Sequence, residues 1–414
     1  MREMKDSGAK WIGDIPINWQ ADKLKYHLVR KEPKNPGGKV VLSLYREYGV
    51  IPKDSRDDNH NQTSEDTSKY KYVVPGCLVV NKMKAWQGSV AVSDYDGIVS
   101  PAYYVYEFID NVFFKRYFHY LLRGCYKDEF MRLSGGMRVG QWDLSSEDLN
   151  NTLVIIPPLP EQQKIAAYLD SKCAEIDGLI ADIQSQIDTL EQYKRSVISE
   201  AVTKGVDGDA TMVDSNIDYI GLINSSWTLS RIGYICIKLN RGFSSEAEAL
   251  ICSNKGEVII RGENNYGLVS DNDNMFQGVM SGDLLIHGMD TWHGAVAVSH
   301  LDGKCTTVVH VCDTNQNKEF VSYYLQMLAF KKVYKAISNG VRGNTSDFRS
   351  WDKVKKIYIS LPDKDEQDRI AQYLTKKCSE ISEIIKTKKE QISTLEAYKK
   401  SVIYEYVTGK KEFV

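Results

Sequence analysis

The sequence predicts an α+β protein: two mixed α/β domains joined by two long antiparallel helices with pseudo-two-fold symmetry. Three observations carry that prediction. A 43-residue segment starting at Glu161 recurs from Glu366 without a gap, shifted by 205 residues, with 24 identities. Ordinary composition gives only a few such identities by chance. Within each copy, apolar residues step by four and three, the period of helices that pair through a narrow seam. Ahead of each copy lie short β-branched and aromatic segments broken by glycine, proline and aspartate, the pattern of strands and turns.

The helical copies come first in the argument because their signal is strongest. In the first, the seam residues are Ile176, Ile180, Ile183, Ile187, Leu190, Val197 and Ala201, interrupted at Lys194. The second gives Ile381, Ile385, Ile392, Leu395 and Val402, with Lys388 and Lys399 in the same row. Such polar seam residues set register. Pro157-Pro158-Leu159-Pro160 and Leu361-Pro362 stand where proline opens a helix, and Gly205 and Gly409 where glycine closes one. Each helix runs about 65 Å if continuous, and Asp170-Ser171 is a place where a break is possible. Neither seam is covered in isolation, so each copy is expected to pair with the other. Tyr168, Tyr373, Tyr193 and Tyr398 occupy matching places and serve either as partner surface or as packing beside the seam.

Weaker matches extend the repeat to the whole chain. Trp11-Ile12-Gly13 with Trp19 corresponds to Tyr219-Ile220-Gly221 with Trp227. The run from Lys84 to Ser93 corresponds to that from Asp290 to Ser299, and Gly136-Met137-Arg138 to Gly340-Val341-Arg342. The expected divisions are 1–157, 158–205, 206–361 and 362–414: domain, helix, domain, helix. Expected strands are Tyr72–Val80, Ser89–Val92, Ile98–Tyr106, Glu257–Ile260, Ala295–Ser299 and Thr306–Val311. Lys115–Leu133 and Glu319–Ile337 carry helical periodicity. Each leads to a Gly-rich basic loop, 134–142 or 338–349, then a hydrophobic strand (Leu153–Ile156; Ile357–Leu361), then the long helix.

Composition bounds the function. The 414 residues are too many for one ordinary domain, and 42% hydrophobic with 26% charged residues describes a globular protein with a sizeable core. No apolar run spans a bilayer, and the N-terminus has no signal-peptide core. The eight cysteines form no CxxC pair and read as reduced thiols in the cytoplasm. A net charge of −2 counts against nucleic-acid binding until the chain is divided. Residues 111–138 hold six Lys/Arg against Asp128 and Glu129, and 331–356 hold eight against Asp347 and Asp352. A basic run is as often a solvated face as a binding surface; its recurrence at one place in a repeat favours binding.

Catalytic signatures are missing. There is no FxGxG methyl-donor loop, no N/D-P-P-F/Y base-flipping motif and no phosphate loop, and no metal-ligand spacing. Pro362-Asp363-Lys364-Asp365-Glu366 resembles a nuclease carboxylate pair, but acids at a helix entrance are accounted for by the dipole. What remains suits recognition: Arg, Asn and Gln pair with purine edges, and lysines grip phosphates without reading sequence.

Asp6-Ser7-Gly8…Trp11-Ile12-Gly13…Ile15-Pro16…Trp19, the run from Pro158 through Gln162, and Leu190-Glu191-Gln192-Tyr193-Lys194-Arg195-Ser196 through Gly205 carry a family resemblance. The chain resembles the DNA-specificity (S) subunits of Type I restriction–modification systems along essentially its whole length. Two places depart from the family pattern, Ser360-Leu361-Pro362-Asp363 and Asp218-Tyr219. The resemblance implies two target-recognition domains reading an asymmetric, two-part DNA target across an unread spacer. It implies a non-catalytic chain, with double-stranded DNA, two methyltransferase subunits and restriction (helicase–nuclease) subunits as partners. S-adenosylmethionine, ATP and Mg²⁺ belong on those partners, and no cofactor on this chain. A Type IIB-like specificity subunit, an enzyme of unrecognised chemistry and a coiled-coil scaffold without a DNA role remain as alternatives.

Candidate DNA contacts are Arg138 and Gln141 in the first loop and Arg342, Asn344 and Arg349 in the second. Lys82 and Lys84, in a hairpin ahead of Trp86, suit phosphates. Trp86 and Trp292 recur between halves that otherwise diverge, which marks them as structural.

Overall fold

The computed structural model describes residues 2–46, 48–56, 63–64, 66–136, 142–208, 211–262, 275–337 and 348–412. Two compact units divide the chain: residues 1–183 with 390–414, and residues 184–389.

Unit one is built on an antiparallel sheet in the order Leu28–Lys31, Tyr103–Phe108, Leu78–Asn81, Val90–Val92. The Leu78–Asn81 strand is buried on both faces, so its apolar run is continuous rather than alternating. Leu78 and Val80 enter a core with Tyr117, Phe118 and Leu121 of α1 (Lys115–Cys125) and Phe130 of α2 (Lys127–Leu133). Val79 points to the opposite core, with Leu42, Val50, Val73 and Val105. After α3 (Ser146–Asn151), capped by the Ser145 hydroxyl accepting from the Asp148 amide, the strand Leu153–Ile156 pairs with Gln20–Lys23. It feeds directly into α4 (Leu159–Lys204).

Unit two repeats this plan. After the short α5 (Ile232–Ile235), its sheet has the order Cys236–Lys238, Val309–Thr314, Leu284–His287, Val296–Val298. Leu284 and Ile286 join Phe320, Tyr324 and Leu328 of α6 (Lys318–Phe330), while Leu285 joins Leu250 and Val311 behind the sheet. Then come α7 (Val333–Ile337), α8 (Trp351–Val354), the strand Tyr358–Leu361 paired with Thr228–Arg231, and α9 (Lys364–Val407).

Both long helices are continuous, with no break at Asp170-Ser171; Cys173 and Ile176 are buried there and the ladder has no reason to open. The helices run antiparallel in each unit, since a rising number on α4 meets a falling number on α9. In unit one the Tyr168 and Tyr406 rings lie 4.4 Å apart and Lys399 Nζ reaches Asp177 at 2.7 Å. In unit two Lys388 Nζ donates to Gln186 Oε1 at 2.5 Å and Lys194 Nζ to Ser382 Oγ at 3.0 Å. Thus the lysines in the seam row extend sideways to the other helix instead of lying in the apolar line. Ile176 and Val402 are buried in unit one, with Ile180, Ile183, Ile392 and Leu395 half-buried; Ile187, Val197 and Ile381 are buried in unit two, with Leu190 and Ile385 half-buried. Gly205 (φ 89°) and Gly409 (φ 70°) end the helices in the left-handed region. Gly409 is doubly constrained, because a Cβ there falls 2.5 Å from Pro16 Cγ and 2.9 Å from Trp19.

Two other expectations need correction. The helices expected over Lys115–Leu133 and Glu319–Ile337 are each broken, at Tyr126 and around Lys331-Lys332. Tyr126, two residues after Gly124, is fully buried with φ −102° and ψ −1°, at the edge of the helical region, and Lys332 adopts φ 58°, so packing overrides the helical pattern. The long strands expected over Tyr72–Val80, Ile98–Tyr106 and Thr306–Val311 are likewise split, the first two where Pro75-Gly76 and Ser100-Pro101 turn the chain. Among the described residues, no helix is long and apolar enough to cross a membrane.

Candidate nucleic-acid interface

Each unit first needs a rigid base for its loop, and the helix entrances supply one. Gln162 and Gln367 open α4 and α9 and are fully buried. Gln162 accepts from the Phe114 amide at 2.7 Å and donates to the Val112 and Pro157 carbonyls at 2.8 Å each. Gln367 accepts from the Asn317 amide at 3.0 Å and donates to Gln316 Oε1 and the Pro362 carbonyl. Beside them, Trp19 Nε1 donates to Glu161 Oε2 at 2.9 Å and Trp227 Nε1 to Glu366 Oε2 at 3.0 Å. These bonds explain why Trp, Glu and Gln recur in both halves. Asp363 accepts from the Glu366 amide at 2.8 Å, a helix cap. Among the described residues no group of three or more His, Cys, Asp or Glu side chains is placed to hold a metal ion.

On this base the hairpin and the loop are brought together in the same way in both units. The Leu144 amide donates to the Lys82 carbonyl at 3.0 Å; the Phe348 amide donates to the Gly288 carbonyl at 3.1 Å. Leu144 and Phe348 are both buried, so the residue leaving each loop is pinned to the hairpin that precedes the recurrent tryptophan. In unit one the loop is also closed by the antiparallel bridge between Gly135 and Asp143.

The side chains at these anchors differ. In unit one Lys82 Nζ pairs with Asp143 at 2.6 Å, and that carboxylate holds the ammonium above its usual range. Lys84 is exposed and forms no ion pair among the described residues. Trp86 donates to the Met83 carbonyl at 3.0 Å and packs edge-on against Trp142, the last residue of the loop, at 5.5 Å. In unit two Gly288 and Asp290 stand where unit one has the two lysines. Gly288 is needed because a Cβ there falls 2.9 Å from the Arg349 Cα and 2.8 Å from the Val308 carbonyl oxygen. Trp292 packs half-buried against the unit's core. Asp290 lies 3.5 Å from His287, whose ring accepts from the Asp290 amide at 3.0 Å. The position next to the recurrent tryptophan is therefore basic in one half and acidic in the other.

Of the candidate contacts, Lys82, Lys84 and Arg349 are placed at the loop bases; Arg349 is exposed. Arg138, Gln141, Arg342 and Asn344 lie outside the described residues. Two further pairs flank the loops. Arg30 stacks over the Tyr104 ring at 4.4 Å in unit one, close enough to Lys82 to act on its charge. In unit two, Lys238 and His310 occupy the corresponding strands. His310 Nε2 donates to the Phe348 carbonyl at 2.7 Å, and burial, with Lys238 and His287 adding, lowers its pKa so that it stays neutral. No periodicity in the sequence marks these pairs; only the strand register brings them to the loops.

Comparison with known proteins bears on the chain's family and fold. The family model described as Type I restriction modification DNA specificity domain matches residues 33–189 and 224–394. A putative type I restriction enzyme MjaX specificity subunit of Methanocaldococcus jannaschii is 24% identical over 430 residues, covering 96% of this chain and 95% of that one. The MjaVIII specificity subunit of the same organism is 24% identical over 420 residues, covering 96% and 93%. A chain from a solved structure concerned with complex assembly and conformational transition of the type I R-M system superposes with a TM-score of 0.68. That chain is 15% identical, with 96% of this chain and 99% of that one covered, and the likeness is one of fold.

Proposed function

The chain belongs to the Type I restriction–modification DNA specificity domain family, and from that premise we propose that it reads an asymmetric, two-part DNA target, one half-site per domain. The observation that carries this reading is the pairing of a repeated frame with unrepeated contents. The Trp–Glu and Gln ties and the loop-pinning amide recur in both units, while Lys82 and Lys84 give way to Gly288 and Asp290. A reader of two identical half-sites has no use for that divergence.

In this reading Arg138 and Gln141 address bases of one half-site, and Arg342, Asn344 and Arg349 those of the other, through the paired hydrogen bonds that guanidinium and amide groups make to purine edges. Lys84, and Lys82 when released from Asp143, hold phosphates and fix register. Two methyltransferase subunits bring S-adenosylmethionine, and restriction subunits bring ATP and Mg²⁺, in the cytoplasm; this chain supplies the address and carries out no chemistry.

The test is methylome sequencing of a cell expressing the chain with its methyltransferase subunit, alongside methyl-transfer assays of the purified chain alone. The expected result is one asymmetric two-part motif from the complex and no transfer by the chain alone. Methyl transfer by the isolated chain, or a symmetric uninterrupted motif, contradicts the proposal.

A further inference from the structure

The ion pair at the loop base of unit one is not needed to hold the loop. Both backbone groups of Asp143 are taken by Gly135, whose amide donates at 3.3 Å and whose carbonyl accepts at 2.9 Å. The next amide, that of Leu144, is pinned to the Lys82 carbonyl. Unit two makes the matching bond from Phe348 to Gly288, a residue with no side chain to form an ion pair. The backbone thus fixes the loop base in both units, and the Lys82–Asp143 pair is free for another role.

The pair stands where a ligand can reach it, with the Lys82 and Asp143 side chains 33% and 39% exposed. Lys82 lies between opposed charges. Asp143, at 2.6 Å, raises its pKa, while Arg30, stacked over the Tyr104 ring, acts to lower it. Once Asp143 is otherwise engaged, repulsion from Arg30 drives the ammonium outward. Asp143 depends on Lys82 in turn. Its Oδ1 is buried without a hydrogen-bond partner, and its Oδ2 has only the ammonium, among the described residues. Stripped of Lys82, the carboxylate is a half-buried charge with no donor on either oxygen, which is costly. Lys82 therefore leaves when another donor takes its place at Oδ2.

Resting on the reading above, in which this loop faces DNA, the replacing donor has a narrow chemistry. In the major groove the base edges donate only through exocyclic amines, N4 of cytosine and N6 of adenine. Guanine and thymine present acceptors there, which repel a carboxylate. Phosphates repel it as well, and attract the ammonium. A base amine is thus the major-groove group that suits Asp143, and a phosphate the group that suits Lys82.

We propose that Asp143 is a specificity-determining residue, which holds Lys82 off the DNA until a cytosine or adenine amine of the half-site read by unit one displaces it. On a wrong half-site the pair stays closed, and unit one makes one phosphate contact fewer. On the right one Asp143 accepts from the amine and Lys82 moves to a phosphate, so reading a base and gaining affinity are a single event. Unit two, with Gly288 in place of Lys82, has no such device.

The test measures DNA binding by the full chain in complex with its methyltransferase subunit, over a range of salt. Three duplexes are compared: the motif found by methylome sequencing, and that motif with one half or the other scrambled. Asp143→Asn frees Lys82 but keeps an acceptor for the amine. It is expected to tighten binding to one scrambled duplex only, by about fivefold near 0.15 M salt, with a salt slope steeper by about 0.9, the effect of one phosphate contact. The intact motif and the other scrambled duplex are expected to keep their affinities. With the wild-type complex, replacing cytosine by 2-pyrimidinone or adenine by purine removes the amine. At one position of that half the replacement is expected to weaken binding and flatten the slope by the same amounts. Equal tightening on all three duplexes marks a simple change of net charge, and weaker binding with a lower melting temperature marks a structural tie. Either result, or no position sensitive to loss of its amine, overturns this inference while leaving the DNA-reading proposal intact. A wild-type complex that binds all three duplexes alike overturns both.

Discussion

The two units share a skeleton and differ where that skeleton meets its loops. In unit one a lysine–aspartate pair, Lys82 with Asp143, and two facing tryptophans, Trp86 and Trp142, close the loop base. In unit two the same backbone bond is made, but a glycine pressed against Arg349 and a buried neutral histidine, His310, replace the ion pair. The backbone bond fixes where the loop stands, and the side chains around it are free to change. Position and content are thus controlled by different residues, and substitutions can separate them.

The largest expected effects come from the helix seam, where equivalent residues are unequally covered. Ile187 is buried and its counterpart Ile392 half-buried. Ile187→Asp leaves a charge in an apolar row and is expected to cost about 3–5 kcal/mol. Ile392→Asp, with water within reach, is expected to cost about 1–2 kcal/mol. Urea unfolding of the two variants checks the ranking, and equal losses break the comparison.

The frame itself predicts equality. Gln162→Leu and Gln367→Leu each strand an amide and two acceptors in a buried site, and each is expected to cost about 2–4 kcal/mol. Hydrogen exchange should place the loss in unit one for the first and in unit two for the second. A loss in only one of them means that the two entrances are not equivalent.

Acid sensitivity sharpens the difference between units. Burial, with Arg123 and Arg116 adding, pushes His119 of unit one down to about 3. The unfolded chain takes up this proton below about 6.5 while the folded chain does not. The contribution is therefore complete above that pH and is lost as pH falls from 6.5 towards 3, reaching about 2 kcal/mol at pH 5. His119→Gln is expected to flatten that loss in unit one, read by hydrogen exchange across pH, and to leave unit two, where His310 is depressed in the same sense, on its original slope.

Much of this arrangement is legible in the sequence, for identifiable reasons. The helices announce themselves because one copy checks the other, and the seam residues obey a period that packing enforces. Strands such as Met4–Asp6 and Asp14–Pro16 are too short to carry any period. The break at Lys332 has no glycine or proline beside it, while the one at Tyr126 follows Gly124 by two residues, a single glycine that does not by itself end a helical pattern. At the candidate site, Lys82 and Lys84 were visible as a basic hairpin, but the pairing of Lys82 with Asp143 joins residues 61 positions apart. Gln162 and Gln367 recur at the same place in the two copies, but only their bonding partners reveal the clamp.

The central claim is that each domain reads its own half of the target. Methylome sequencing of single loop variants tests it most directly, using Arg138→Ala or Gln141→Ala against Arg342→Ala or Asn344→Ala. A lost bidentate base contact weakens discrimination by about 1–3 kcal/mol. The account predicts that the first pair relaxes only one half-site and the second pair only the other, with the spacer unchanged in all four. A single substitution that alters both half-sites, or that shifts the spacer and leaves the bases intact, contradicts it.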